Sequence, residues 1–205
     1  MLPQGSAQLV ANILRDGYSV SENFLPPTSI RALADIAQTR ASDGRLKAAR
    51  MGKTLMADDS VRGDSIEWID EQSSQEPVLA WLDALEGLRQ TLNEHLFLNL
   101  FDFETHFAIY PPAAVYKKHL DRFSSGDQRR TMSFVLYLNQ QWAHDHGGEL
   151  RIYLDTESEE AESHWVDVAP TGGRLVLFES ARFWHEVRPA TRERLSITGW
   201  FRTRS

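Results

Sequence analysis

The sequence predicts an α+β fold: a jelly roll of short strands buttressed by helices from the first part of the chain. Two observations carry this. Through about residue 95 the apolar residues recur mainly at helical spacing, and from about residue 100 onward short alternating runs separated by turn residues take over. Helices first and strands afterwards make a layered α+β arrangement, and many short strands make a sandwich or barrel. A length of 205 residues suits one domain, 1–205, with helical support mainly in 1–95 and a β core mainly in 100–202.

Taken in order, Leu9, Val10, Ile13 and Leu14 form one stripe that stops at Asp16-Gly17, an amphipathic helix with a glycine end signal. Residues 18–24 alternate as a strand. A second helix follows Leu25-Pro-Pro-Thr28, capped by Thr28 or Ser29, with Ile30, Leu33 and Ile36 on its buried side. Residues 43–64 lose the hydrophobic rhythm and read as a long, mobile or functional loop. Leu79, Leu82, Leu85, Leu88 and Leu92 then mark a third helix, whose stripe is core. Phe103, Thr105, Phe107 and Ile109 alternate with Glu104, His106, Ala108 and Tyr110 before Pro111-Pro112 ends the run. Further strands follow at residues 132–138, 149–154, 165–168, 174–178, 184–187 and 194–201.

Composition narrows the function classes. With 41% hydrophobic and 25% charged residues the chain is of the globular type, no stretch reads as a membrane span, and the N-terminus lacks a signal-peptide pattern, so the cytoplasm is the expected compartment. Zero cysteines excludes disulfides, thiolate metal sites and cysteine nucleophiles, so any metal is held by nitrogen and oxygen. A net charge of −7 argues against a nucleic-acid partner. Lys117, Lys118, Arg122, Arg129 and Arg130, and again Arg188, Arg192, Arg194, Arg202 and Arg204, form two basic groups: a solvated face, or a positive rim around a site for an anion.

His119 and Asp121 are one residue apart. On a strand both side chains point the same way, about 7 Å apart along the chain, so both can reach one metal. A distant histidine would complete a 2-His-1-carboxylate face, which holds iron(II) and leaves coordination positions open. His185 follows an apolar strand, and Arg194 comes nine residues later, on the same strand face as Thr198. A cation on an inner barrel face is costly unless it meets an anion, and a carboxylate would satisfy it bidentately. His144-Asp-His146 is a rival cluster, but it precedes Gly147-Gly148 in a turn and has no distant third ligand. His106 shares the face of Tyr110 and reads as a supporting or core hydrogen-bond partner. Arg62-Gly63-Asp64 reads as a turn locked by a local ion pair.

The ordered set His119-x-Asp121, His185, Arg194 resembles the iron(II)- and 2-oxoglutarate-dependent oxygenases. The neighbouring runs resemble, more narrowly, the hypoxia-type prolyl 4-hydroxylases and their bacterial relatives. These runs are Val61-Arg-Gly-Asp-Ser-Ile-Glu-Trp-Ile69, Tyr110-Pro111, Tyr116-x-x-His-x-Asp121, Tyr137-Leu-Asn139, Gly147-Gly-Glu-Leu-Arg-Ile152, His185-Glu-Val-x-Pro-Ala190 and Arg194-x-x-x-Thr198-x-Trp200. They span nearly the whole chain in order. One segment departs from the family pattern: Pro-Pro-Ala-Ala-Val-Tyr-Lys-Lys between Tyr110 and His119 replaces a glycine-rich, slightly longer link.

The resemblance implies a double-stranded β-helix with His119, Asp121 and His185 as metal ligands. It implies that Arg194 and Tyr137 hold the distal carboxylate of 2-oxoglutarate, that Tyr110 and Thr198 line its pocket, and that Leu150 packs beside it. Arg130, Trp200, Arg62 and Asp64 would lie near a bound protein or peptide carrying a proline, and residues 43–64 would be the lid. The implied cofactors are Fe(II), 2-oxoglutarate and O2, with ascorbate as a reductant, and no nucleic acid or membrane is an expected partner. Asp121 speaks against a halogenase, in which halide replaces the carboxylate. The same chemistry on another residue or a small molecule, and a non-catalytic 2-oxoglutarate- or metal-sensing module, are the alternatives.

Overall fold

The computed structural model describes residues 6–49, 61–70, 72–122, 129–155 and 163–204. Helix α1 (Ser6–Asp16) sinks Leu9, Val10 and Ile13 and stops at Gly17, whose positive φ closes the last turn. Leu14, expected on the buried stripe, is 69% exposed, since five residues carry it about 140° round the helix from Leu9. Strand β1 (Tyr18–Ser21) follows, then α2 (Pro27–Ser42). This helix begins before the expected Thr28 or Ser29 cap: Pro26 is extended (φ −55°, ψ 145°), and Pro27 fills the first helical position, where its missing N–H costs nothing. Strands β2 (Lys47–Ala48) and β3 (Ser65–Trp68) pair antiparallel. Of the loop expected at residues 43–64, residues 50–60 lie outside the described residues, and Lys47–Ala48 is the short strand β2.

Helix α3 (Glu76–Leu96) buries Val78, Trp81, Leu85, Leu88 and Leu92; Leu79, expected in that stripe, is 40% exposed because Trp81 and Val78 turn the stripe away from it. The strands that follow are β4 (Leu100–Tyr110), β5 (Tyr116–His119), β6 (Arg130–Tyr137), β7 (Leu150–Tyr153), β8 (Trp165–Val168), β9 (Leu175–Glu179), β10 (His185–Val187) and β11 (Arg194–Thr203). A larger antiparallel sheet has the order β1-β9-β6-β11-β4-β3-β2, and a smaller one β5-β10-β7-β8. This is the predicted jelly roll.

Strand alternation divides the core in two. One face of the larger sheet, with Phe107, Ile109, Phe134 and Phe201, packs on Leu33, Trp81 and Leu85 of the helices. The other face, with Ala108, Tyr110, Val135 and Tyr137, meets Leu150, Ile152 and Val187 of the smaller sheet. The helices therefore brace the back of the larger sheet and leave its inner face to the site. Among the described residues no helix is long and apolar enough to cross a membrane.

Candidate active site

Strands β5 and β10 pair with His119 directly opposite His185, which brings together two residues far apart in sequence. Asp121 follows just past the end of β5. Its Oδ1 is 3.6 Å from His119 Nε2 and its Oδ2 is 3.4 Å from His185 Nε2. The three ligand atoms lie within 4.8 Å of one another, the only such group among the described residues.

Each imidazole is held in one orientation. A ring nitrogen facing a carbonyl must carry the proton, so Nδ1–H of His119 donates to Lys117 O (2.7 Å) and that of His185 to Phe183 O (3.0 Å). Both Nε2 lone pairs are thereby turned inward, as metal ligation requires. Tyr116 stacks flat on His119 at 3.5 Å, and Phe178 meets His185 edge-on at 4.7 Å. The Ser133 hydroxyl donates to Asp121 Oδ2 (2.7 Å) and lies 2.9 Å from Ser180 Oγ.

Burial opposes every charge here. It pushes His119 down to about 4, helped by neighbouring His185. Burial also opposes the Asp121 carboxylate, yet His185 and His119 outweigh it and hold Asp121 well below the usual range. Asp121 in turn overcomes the burial of His185 and raises it. Asp121 is thus held ionised between two imidazoles.

Except for Tyr137 and Arg130, every predicted site residue lines one cavity with about 460 Å³ of empty space. At one end Arg194, 2% exposed, donates from Nε to Gly148 O (2.9 Å) and lies over the rings of Tyr110 (5.2 Å) and Tyr137 (5.0 Å). No carboxylate among the described residues pairs with it, and Tyr137 Oη is buried without a hydrogen-bond partner. Gly148, at φ +76°, makes room for this arginine: a Cβ there would stand 2.9 Å from Ala190 Cβ and 3.4 Å from Arg194 Cδ. Asn139 ties the two anchors together, accepting from Leu195 N–H (2.7 Å) and donating to Pro170 O (2.7 Å). Tyr110 keeps its place despite the altered link, because Ala113 adopts the left-handed conformation (φ +66°) a glycine would take more cheaply, and its N–H reaches Ala190 O.

At the other end the Arg130 guanidinium lies 3.5 Å from the Trp200 ring and pairs with Glu104. Arg62 pairs with Asp64 through two bonds of 2.7 and 3.0 Å, the predicted local lock, and lies over Tyr116. Of the two basic groups, Arg130 pairs with Glu104, Arg188 with Glu186 and Arg202 with Asp102 and Glu104, while Arg194 lies inside the cavity. The rival His144–His146 segment is a 3-10 turn in which His146 Nδ1 accepts from Ala143 N–H.

The expectation for His106 is corrected. It is fully buried, but among the described residues neither ring nitrogen has the expected hydrogen-bond partner. Sequence reasoning also left out Ser133, Ser180 and Tyr116 as site residues. Ser133 carried a signal, being a polar residue two places before Val135 and four before Tyr137 on the same strand face.

The 2OG-Fe(II) oxygenase superfamily model matches residues 105–202. The structure is similar to a Pseudomonas putida prolyl-4-hydroxylase, with a TM-score of 0.86 and 44% identity over 98% of this chain and 100% of that one. The chain belongs to the 2OG-Fe(II) oxygenase superfamily, in its prolyl-4-hydroxylase branch. A Trichoplax adhaerens prolyl hydroxylase, solved with a hypoxia inducible factor oxygen degradation domain peptide fragment, superposes with a TM-score of 0.84 at 25% identity, covering 96% of this chain and 88% of that one. Egl nine homolog 1 of Rattus norvegicus is 30% identical over 181 residues, 84% of this chain and 49% of that protein. The chain thus spans about half the length of the curated relatives it matches.

The cofactors of this superfamily, Fe(II) and 2-oxoglutarate with O2 as cosubstrate, fit the residues present. Two inward-facing imidazole nitrogens and a carboxylate, without thiolates, make the facial donor set suited to iron(II). The Arg194 guanidinium, lacking an acid, and the orphaned Tyr137 hydroxyl make a receptor for the far carboxylate of a diacid.

Proposed function

We propose that the protein hydroxylates a prolyl residue of a protein or peptide. One oxygen atom of O2 enters the substrate C–H bond and the other enters 2-oxoglutarate, which leaves as succinate and CO2. The observation that carries this reading is the single cavity that joins an anion receptor at Arg194, the His119–Asp121–His185 triad and an aromatic wall at Trp200.

Iron(II), held by His119, Asp121 and His185, supplies the redox chemistry when bound; the chain orients and shields it. Arg194 and Tyr137 would fix the distal carboxylate of 2-oxoglutarate with Tyr110 beside it, Leu150 would close its apolar side, and Thr198 bounds the pocket at the end toward Trp200. Burial keeps His119 uncharged at neutral pH, so its Nε2 stays available as a ligand. Ser133 holds one Asp121 oxygen in place. Trp200, set by Arg130 stacked on its ring, offers a flat apolar surface to a proline ring, and the Arg62–Asp64 pair lines the same cavity. The reading places this chemistry in the cytoplasm, where reduced iron and a soluble diacid are both available.

The test is incubation of the iron-loaded protein with 2-oxoglutarate and proline-containing peptides. We expect succinate to form and the peptide to gain the mass of one oxygen at proline, only with both iron and 2-oxoglutarate present. Succinate with no oxidised proline in any peptide would point to another substrate class. No succinate, despite tight binding of 2-oxoglutarate, would favour a sensing module.

A further inference from the structure

His106 belongs to neither the metal site nor the anion receptor, yet it lines the same cavity. Its ring is 1% exposed, and neither Nδ1 nor Nε2 has a hydrogen-bond partner among the described residues. Trp68 meets it edge-on at 4.9 Å, and Trp200 lies against it at 5.6 Å. Trp200 Nε1 is likewise buried without a partner. Such groups are rare in a settled core and accumulate where a ligand completes the hydrogen bonding.

Register fixes which ligand that is. Arg194 stands opposite Tyr110, whereas His106 stands opposite Thr198, four residues further toward the Trp200 end. Four residues of antiparallel strand span about 13 Å. A five-carbon diacid extends over roughly two residues of extended chain, about 7 Å. A diacid anchored at Arg194 therefore ends short of the His106 row, which faces the space left for substrate. Burial, with Arg62 and Arg130 nearby, pushes the imidazole down to about 3, so it meets that space uncharged. A neutral ring does not select an anion. A prolyl residue has no N–H to offer, so the backbone at the target presents carbonyl oxygens.

We propose that His106 is a specificity-determining residue that donates a ring N–H to a backbone carbonyl of the substrate at or beside the target proline. The inference rests on the reading of the protein as a prolyl-peptide hydroxylase. It makes the floor between the two tryptophans polar at one point, so that a peptide is held by its backbone as well as by its proline ring.

The experiment compares wild type with H106L and H106N, using short end-blocked peptides that each carry one central proline. H106L should bind 2-oxoglutarate, in anaerobic titration of the iron protein, with wild-type affinity. Its KM for the best wild-type peptide should rise about tenfold, the worth of one hydrogen bond, and it should make less hydroxyproline per succinate. Its melting temperature should rise, because two unpartnered buried nitrogens are gone. H106N, which keeps an N–H donor, should recover part of the KM. An unchanged peptide KM and coupling ratio in H106L would overturn the assignment. So would a tenfold loss of 2-oxoglutarate affinity, which would move His106 to the cosubstrate, or a fall in melting temperature, which would make it structural. If wild type oxidises no proline peptide, the functional reading falls and takes this inference with it; an active wild type with an indifferent H106L removes the inference alone.

Discussion

Two arginines line the same cavity and are treated in opposite ways. Arg62 finds its counter-ion two residues along the chain, in a two-bond pair with Asp64 over the Tyr116 ring. Arg194 is buried more deeply, touches a backbone oxygen and two tyrosine rings, and has no acid among the described residues. A buried cation that carries its own anion is part of the scaffold. One that does not is waiting for an anion from outside, and the fold bears the cost of its burial until that anion arrives.

That contrast can be broken by mutation. Asp64→Ala should cause the largest loss of stability, about 3–5 kcal/mol in urea denaturation, because it strands Arg62 as an uncompensated buried charge. Arg194→Met should do the reverse to the fold, leaving the unliganded protein as stable as wild type or more so, while 2-oxoglutarate affinity falls at least about a hundredfold with iron binding kept. Anaerobic titration and a urea midpoint together check it; a destabilised Arg194→Met that still bound the diacid would erase the distinction between the two arginines.

His106 extends the comparison to an uncharged group and predicts a smaller effect. Burial pushes its folded-state value down to about 3, against about 6.5 when exposed. Below pH 6.5 the unfolded chain takes up a proton that the folded one refuses, so stability is lost as pH falls from 6.5 toward 3. Relative to H106L, wild type should lose about 2 kcal/mol between pH 7 and pH 5. Melting curves of the two proteins across that range read the difference directly, and parallel curves would contradict it.

The triad was legible because strand period two puts His119 and Asp121 on one face, and the family motifs supplied His185 and Arg194 from a distance. The larger sheet was legible for a similar reason: β4 alternates cleanly, with Phe107 and Ile109 toward the helices and Ala108 and Tyr110 toward the site. What escaped was mostly tertiary. Nothing local shows that Ser133 and Ser180 converge on Asp121, since β6 and β9 meet only in the folded sheet. Nor can a sequence show that a histidine will be buried without a partner. The start of α2 was misplaced because the Thr28 and Ser29 hydroxyls looked like caps while two preceding prolines had already set the backbone. Leu14 and Leu79 sit at stripe edges, where apolar spacing alone does not decide burial.

The run from Val61 to Gly63 does more than carry Arg62. Its backbone joins β5, the outer strand of the smaller sheet, through Gly63 N–H to Val115 O, Lys117 N–H to Val61 O and a bridge between Arg62 and Tyr116. An outer strand left bare invites another chain to add on, and this one ends in a metal ligand. By covering that edge with its own chain and then crossing to β3 in the larger sheet, the protein guards its metal-bearing strand against aggregation. Substitutions that loosen residues 61–63 should therefore show first as self-association, before activity falls.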